Sequence, residues 1–188
     1  MPKLDVGDFK IGYALAAMPV RYAAERKQWT DAANIVPPAG AAPQAVAIAV
    51  WARGLGLARS GRVAEADTST QTLRQIEVQL RAEANDYWAT QTEILVREVM
   101  AWSAQASGNP DGAVALMREA ADTEDDVEKL PVTPGPIVPA REQLGQLLLE
   151  QNHPDLALKE FKTALANAPG RGGALQGAVR AAELSGQK

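Results

Sequence analysis

An all-α fold is predicted by three features of the amino-acid sequence. Alternating apolar and polar residues of β-branched or aromatic type are absent, while alanine, leucine, glutamine, glutamate and arginine dominate. Apolar residues recur instead at helical spacing. The periodic segments are separated by short proline- and glycine-containing breaks, so they divide into pairs of helices.

Taken in order, the first pair covers 8–26 and 30–36 and ends at "VPPAGAAP", Val36 to Pro43. The second pair, 43–59 and 62–83, turns at "SGR", Ser60 to Arg62. The third, 87–106 and 110–124, turns at "SGNPD", where Asn109 is a natural N-cap and Pro110 suits the first helical position, whose N–H has no helical partner anyway. The proline-rich "LPVTPGPIVP", Leu130 to Pro139, separates it from a fourth pair, 138–151 and 154–167, in which "NHPD" repeats the asparagine and proline device. A last helix, 171–185, follows "GRGG", Gly170 to Gly173. That glycine cluster follows a helix rather than a strand, so it reads as a turn and not as a phosphate-binding loop.

Composition bounds what such a chain can do. With 188 residues, 46% of them hydrophobic, it can bury a continuous core. A net charge of −4 argues against nucleic acid as a partner, because phosphate-backbone binding rests on clustered lysine and arginine. The absence of cysteine excludes disulfides, thiolate nucleophiles and cysteine-ligated metals. No window has the roughly 18 uninterrupted apolar residues of a membrane span, and the start lacks a secretory h-region, so no membrane insertion and a cytoplasmic location are expected. The helical pattern begins almost at once, as it would in a piece of a longer repeat protein whose targeting signal lay upstream.

The stretch "REQLGQLLLEQNHPDLALKEFKTALANAP", Arg141 to Pro169, carries the most specific pattern. Leu144, Gly145, Leu148, Ala157, Phe161 and Pro169, with Ala164 between the last two, match the order W-x2-L-G-x2-Y, A-x3-F, P spread over about 34 residues, with Arg141 at the tryptophan position. Gly145 and Ala157 are small where two antiparallel helices would cross closely. Leu144 and Phe161 fill the space beside the crossing. The chain therefore resembles the tetratricopeptide-repeat family, with best repeats at 94–127 and 138–171, degenerate pairs at 8–36 and 43–83, and a capping helix at 171–185. The step from Ala113 to Ala157 exceeds the family period by about ten residues, the length of the inserted "VEKLPVTPGP". Arg53 occupies a normally apolar place in the second pair.

The resemblance implies an α-α superhelix, a solenoid of about four helical hairpins plus the cap, whose first helices line a concave groove that holds a peptide or extended protein segment. In that register Trp51, Leu55, Glu98, Trp102, Gln105, Glu142, Gln146 and Arg180 face the groove. Aromatic anchors among polar groups are the composition of interface hot spots. The other reading of Trp51 and Trp102 is that they seal gaps between hairpins; Trp29 falls where a core aromatic packs, and Trp88 fits either place. An alternative function is a small-molecule or sensor module in which the loop 128–139 closes over the groove.

Nothing points to catalysis or a cofactor. His153, the single histidine, lies in a turn with no nucleophile beside it. The acidic run "DTEDDVEK", Asp122 to Lys129, lacks the spacing of a calcium loop, and no metal site is expected. Glu98 and Glu142 could be imagined as a hydrolase pair, yet carboxylates are common on helix faces.

Overall fold

The computed structural model describes residue 6 and residues 8–128 and 134–186, and all regular structure among them is helical. The helices are α1 (Phe9–Glu25), α2 (Trp29–Ala33), α3 (Pro43–Arg59), α4 (Val63–Ala82), α5 (Asp86–Ala106), α6 (Pro110–Asp126), α7 (Ala140–Glu150), α8 (Pro154–Asn167) and α9 (Gly172–Ser185). The expected boundaries agree within a few residues because the breaks are local chemistry. Pro43, Pro110 and Pro154 all start helices, and the Asn109 side chain accepts from the Gly112 N–H at 3.1 Å. Of the proline-rich loop, residues 129–133 lie outside the described residues.

Five helix ends are closed by one and the same turn. After α1, α3, α4, α5 and α7 a residue adopts positive φ: Lys27 (54°), Gly61 (75°), Ala84 (54°), Gly108 (77°) and Asn152 (61°). The next residue then donates back to a carbonyl in the last helical turn, as in Arg62 to Leu57, Asn109 to Ala104 and His153 to Leu148, each at 2.9 Å. This double closure satisfies carbonyls that a helix end leaves orphaned. Glycine and asparagine suit it, whereas Lys27 and Ala84 carry a Cβ into the left-handed region.

Packing runs along the chain, each helix lying mainly against its neighbours. α1 also packs on α3, and α3 on α5, while the backbone of α7 lies closest to α6, α8 and α9 and α7 meets α5 through the Trp102–Gln143 side-chain hydrogen bond. α3 is buried almost all round because it carries glycines on two sides. A Cβ on Gly54 would sit 2.9 Å from the Ser69 Cβ of α4, and one on Gly56 would sit 2.5 Å from the Trp29 carbonyl oxygen of α2. In the last three helices the Phe161 ring lies between Gly145 of α7 and Gly177 of α9, where added Cβ atoms would meet it at 2.8 and 2.3 Å. Those small residues therefore bring the helices together.

Arg141, at the position expected for a tryptophan, holds this block to α6. Its guanidinium donates to Asp122, Asp125 and the buried Glu160, and Arg118 donates to the other Glu160 oxygen. Glu124 accepts the Ala140 N–H at the start of α7, at 2.8 Å. The acidic run thus anchors the following helix pair. Among the described residues no helix is long and apolar enough to cross a membrane.

Candidate functional site

The last turns of α3 and α5, together with α7, α9 and the turn after α1, surround a cavity of about 500 Å³. Five of the eight residues expected to face a groove line it: Leu55, Trp102, Glu142, Gln146 and Arg180. Trp102 is nevertheless only 4% exposed. Its indole N–H donates to Gln143 Oε1 at 2.9 Å, and the Arg59 guanidinium carbon lies 4.0 Å from its ring centroid. It is therefore a wall of the cavity fixed from behind, not a free surface anchor.

Arg59 organises this region and was not visible as a site residue in the sequence. It donates two hydrogen bonds to the Glu150 carboxylate, at 2.7 and 2.8 Å, and lies 5.2 Å from the Trp29 ring centroid as well as near Trp102. Planar guanidinium suits both partners, pairing edge-on with carboxylate and stacking on indole. Trp29, expected in the core, packs against the core and also lines the cavity.

Further polar bonds link distant parts of the chain around the same space. Lys27 donates to Gln146 at 3.1 Å, Gln146 donates to Glu150 at 3.0 Å, and Arg171 donates to both Glu142 and Glu25. Burial pushes the Glu142 carboxyl up more than the Arg171 charge and hydrogen bond pull it down. Burial acts in the same direction on Glu150, but there the Arg59 fork, with help from Gln146 and Lys27, wins and leaves it below the usual carboxylate range. The cavity wall is therefore charged yet mostly paired.

The other three expected residues lie elsewhere. Gln105 accepts from Gln151 at 2.8 Å and ties α5 to the end of α7 without lining the cavity. Trp51 and Glu98, each 1% exposed, line a second and much smaller pocket near the starts of α3 and α5, with Tyr13, Trp88 and Glu124. The segment Pro134–Val138 supplies its remaining wall and leaves about 40 Å³. That segment is held by Gln143, which donates to the Val138 carbonyl at 3.0 Å, and by Arg171, which donates to the Ile137 carbonyl at 3.0 Å.

Glu98 and Glu142 line different cavities, so they form no pair. Burial, with the Glu124 charge adding to it, pushes the Glu98 carboxyl well above the usual range, against smaller opposing contributions from Gln143 and Trp51. Neither Glu98 Oε2 nor the Trp51 indole nitrogen makes a hydrogen bond of ordinary geometry. His153 is exposed at the N-cap of α8 and makes no side-chain cap bond. Gln143, which joins Trp102 to the Pro134–Val138 segment, had no sequence signal, because a glutamine on a helix face looks the same whether it is solvated or buried. No family model matches the chain, and no curated protein or solved structure shows significant similarity to it.

Proposed function

We propose that the chain is a tetratricopeptide-like α-α superhelix that acts without catalysis, holding a peptide or extended protein segment in the cavity between α3, α5, α7 and α9. The observation that carries this reading is the cavity itself. Its volume of about 500 Å³ falls in the range of preformed ligand sites, roughly 300–1,000 Å³. Indole faces from Trp29 and Trp102, aliphatic surface from Leu55 and Leu149, and charged groups at the rim supply apolar anchoring beside polar readout.

The alternative, a compact ligand enclosed by the proline-rich loop, has less room. Between Pro134–Val138 and Trp51 the space that remains is too small for more than a head group, although the other side of the segment borders a cavity of about 370 Å³ with Tyr87, Arg141 and Ala164. The peptide cavity receives only Val138 from that segment.

Selection from a random peptide display library on the purified protein tests the proposal, with Gln176→Trp as the comparison. Gln176 is exposed on α9 and lines the cavity, so an indole there fills it without touching the core. Enriched peptides should bind the unmodified protein and lose at least about tenfold in affinity, roughly 1.4 kcal/mol, in the variant. Enrichment of none, or equal binding to both proteins, refutes the reading.

A further inference from the structure

The small pocket has a floor and a mouth of different chemistry. Its floor is Trp51 and Glu98, both buried, while Tyr13, Gln44, Trp88 and Gln91 at its mouth are partly exposed. Tyr13, Trp88 and Phe9 form one aromatic cluster, with ring centroids 5.6 to 6.1 Å apart, which fixes the side of the mouth nearest α1. No lysine or arginine lines the pocket among the described residues.

The carboxyl group in the floor is the anomaly. Glu98 Oε2 is buried and makes no hydrogen bond of ordinary geometry, with only the uncharged Gln143 and Trp51 side chains near the carboxyl as donors, although buried polar atoms are nearly always satisfied. Arginine pairs with the buried or half-buried carboxylates Glu142 and Glu150 of the large cavity and Glu160 of the α6–α8 contact. Here α6 contributes a second carboxylate, Glu124, whose Oε2 accepts the Ala140 N–H; α1 contributes the Tyr13 phenol; α3 contributes Gln44 and Trp51; and α7 contributes the uncharged Gln143.

We propose that this pocket is a binding site for a primary alkylammonium group, which donates to Glu98 while the faces of Trp51, Trp88 and Tyr13 surround its terminal methylenes. Aromatic faces attract cations, most strongly away from water. A primary ammonium supplies the donors that a quaternary one lacks, and it is small enough for about 40 Å³. The Glu98 carboxyl, kept neutral by burial and by Glu124 when the pocket is empty, loses its proton to solvent as the cation enters. The cation and the carboxylate then neutralise one another. The site is separate from the peptide cavity, so its test stands whether or not that reading does.

The experiment titrates propylammonium chloride, and in a second arm Nα-acetyl-lysine methylamide, into the whole protein at constant ionic strength, following tryptophan fluorescence. Sodium chloride and tetramethylammonium chloride are the controls. Saturable binding of either primary amine, absent for both controls, supports the site; the first arm alone indicates a free amine, and the second indicates a lysine side chain of a partner. Because a proton is released, affinity should rise by up to about tenfold per pH unit below the pKa of Glu98. Glu98→Gln, nearly isosteric, should abolish saturation while circular dichroism remains unchanged, and Trp88→Ala should weaken binding several-fold. The proposal is overturned if neither amine saturates, if affinity in the unmodified protein does not vary with pH, or if folded Glu98→Gln binds as well.

Discussion

The two spaces beside α3 and α5 are built on the same helices, yet they treat charge in opposite ways. Around the large cavity, near the helix C-termini, Arg59 meets a partly exposed Glu150 and Arg171 meets a mostly buried Glu142. Around the small pocket, near the N-termini, Pro134–Val138 closes over the Glu98 carboxyl, and no lysine or arginine lines that space among the described residues. Two tryptophans follow the same division. Trp102 has a hydrogen bond and an arginine over its ring, while the Trp51 N–H lies near the Glu98 carboxyl without a hydrogen bond of ordinary geometry.

The sharpest way to break this comparison is Trp102→Ala. Removal of a buried indole should cost about 3–5 kcal/mol, read as a fall in the denaturant midpoint. Intact stability with weakened ligand binding would instead restore Trp102 as an exposed anchor and dissolve the distinction from Trp51.

Glu98→Gln tests the small pocket, and here the sign follows from proton binding. A glutamate ionises near pH 4.3 in an unfolded chain, whereas burial raises Glu98 well above that in the native state. Between the two values the folded chain holds one more proton, so stability falls as pH rises through that window. The glutamine variant has no proton to lose. It should match the unmodified protein below about pH 4 and then exceed it by a margin that grows by about 1.4 kcal/mol per pH unit up to the native pKa of Glu98. A lower melting temperature for the variant at neutral pH would show that Glu98 is ionised and paired.

Arg59→Ala probes the charged cavity and should destabilise by about 1–2 kcal/mol, since its pair with Glu150 is partly exposed and the stacking on Trp102 is lost with it. Raised salt should reduce that difference, while leaving the effect of Glu98→Gln unchanged. The smallest effect lies remote from both spaces. Ala84→Gly should raise stability by about 0.5–1 kcal/mol, because glycine relieves the left-handed backbone there but adds entropy to the unfolded chain. No gain in thermal unfolding would mean that this turn differs from the one at Gly61.

The helices were legible because proline, glycine and asparagine act on their immediate neighbours. Pro110 and Pro154 start helices by fixing φ, and Gly61 and Gly108 end them by accepting positive φ. The small residues were legible too, since Gly145 has its steric reason in Phe161, sixteen positions on and in the next helix. The site was legible only in part. Leu55, Trp102, Glu142, Gln146 and Arg180 share a cavity, but whether Trp51 and Glu98 open into it depends on where Pro134–Val138 lies, and helical periodicity is silent about a non-helical segment. Arg59 was missed because an arginine at a helix end is usually solvated, and its partner Glu150 is 91 residues away.

The bonds around the large cavity also bear on how the molecule comes apart. Most packing is between helices adjacent along the chain, a topology with short loops to close and correspondingly fast assembly. Arg59 with Glu150 and Arg171 with Glu25 instead join residues 91 and 146 positions apart. Contacts that form only after helix pairs have docked contribute little to a folding transition state and act on the reverse rate. If these bonds form late, Arg59→Ala should raise the unfolding rate in stopped-flow denaturant jumps while leaving the folding rate nearly unchanged.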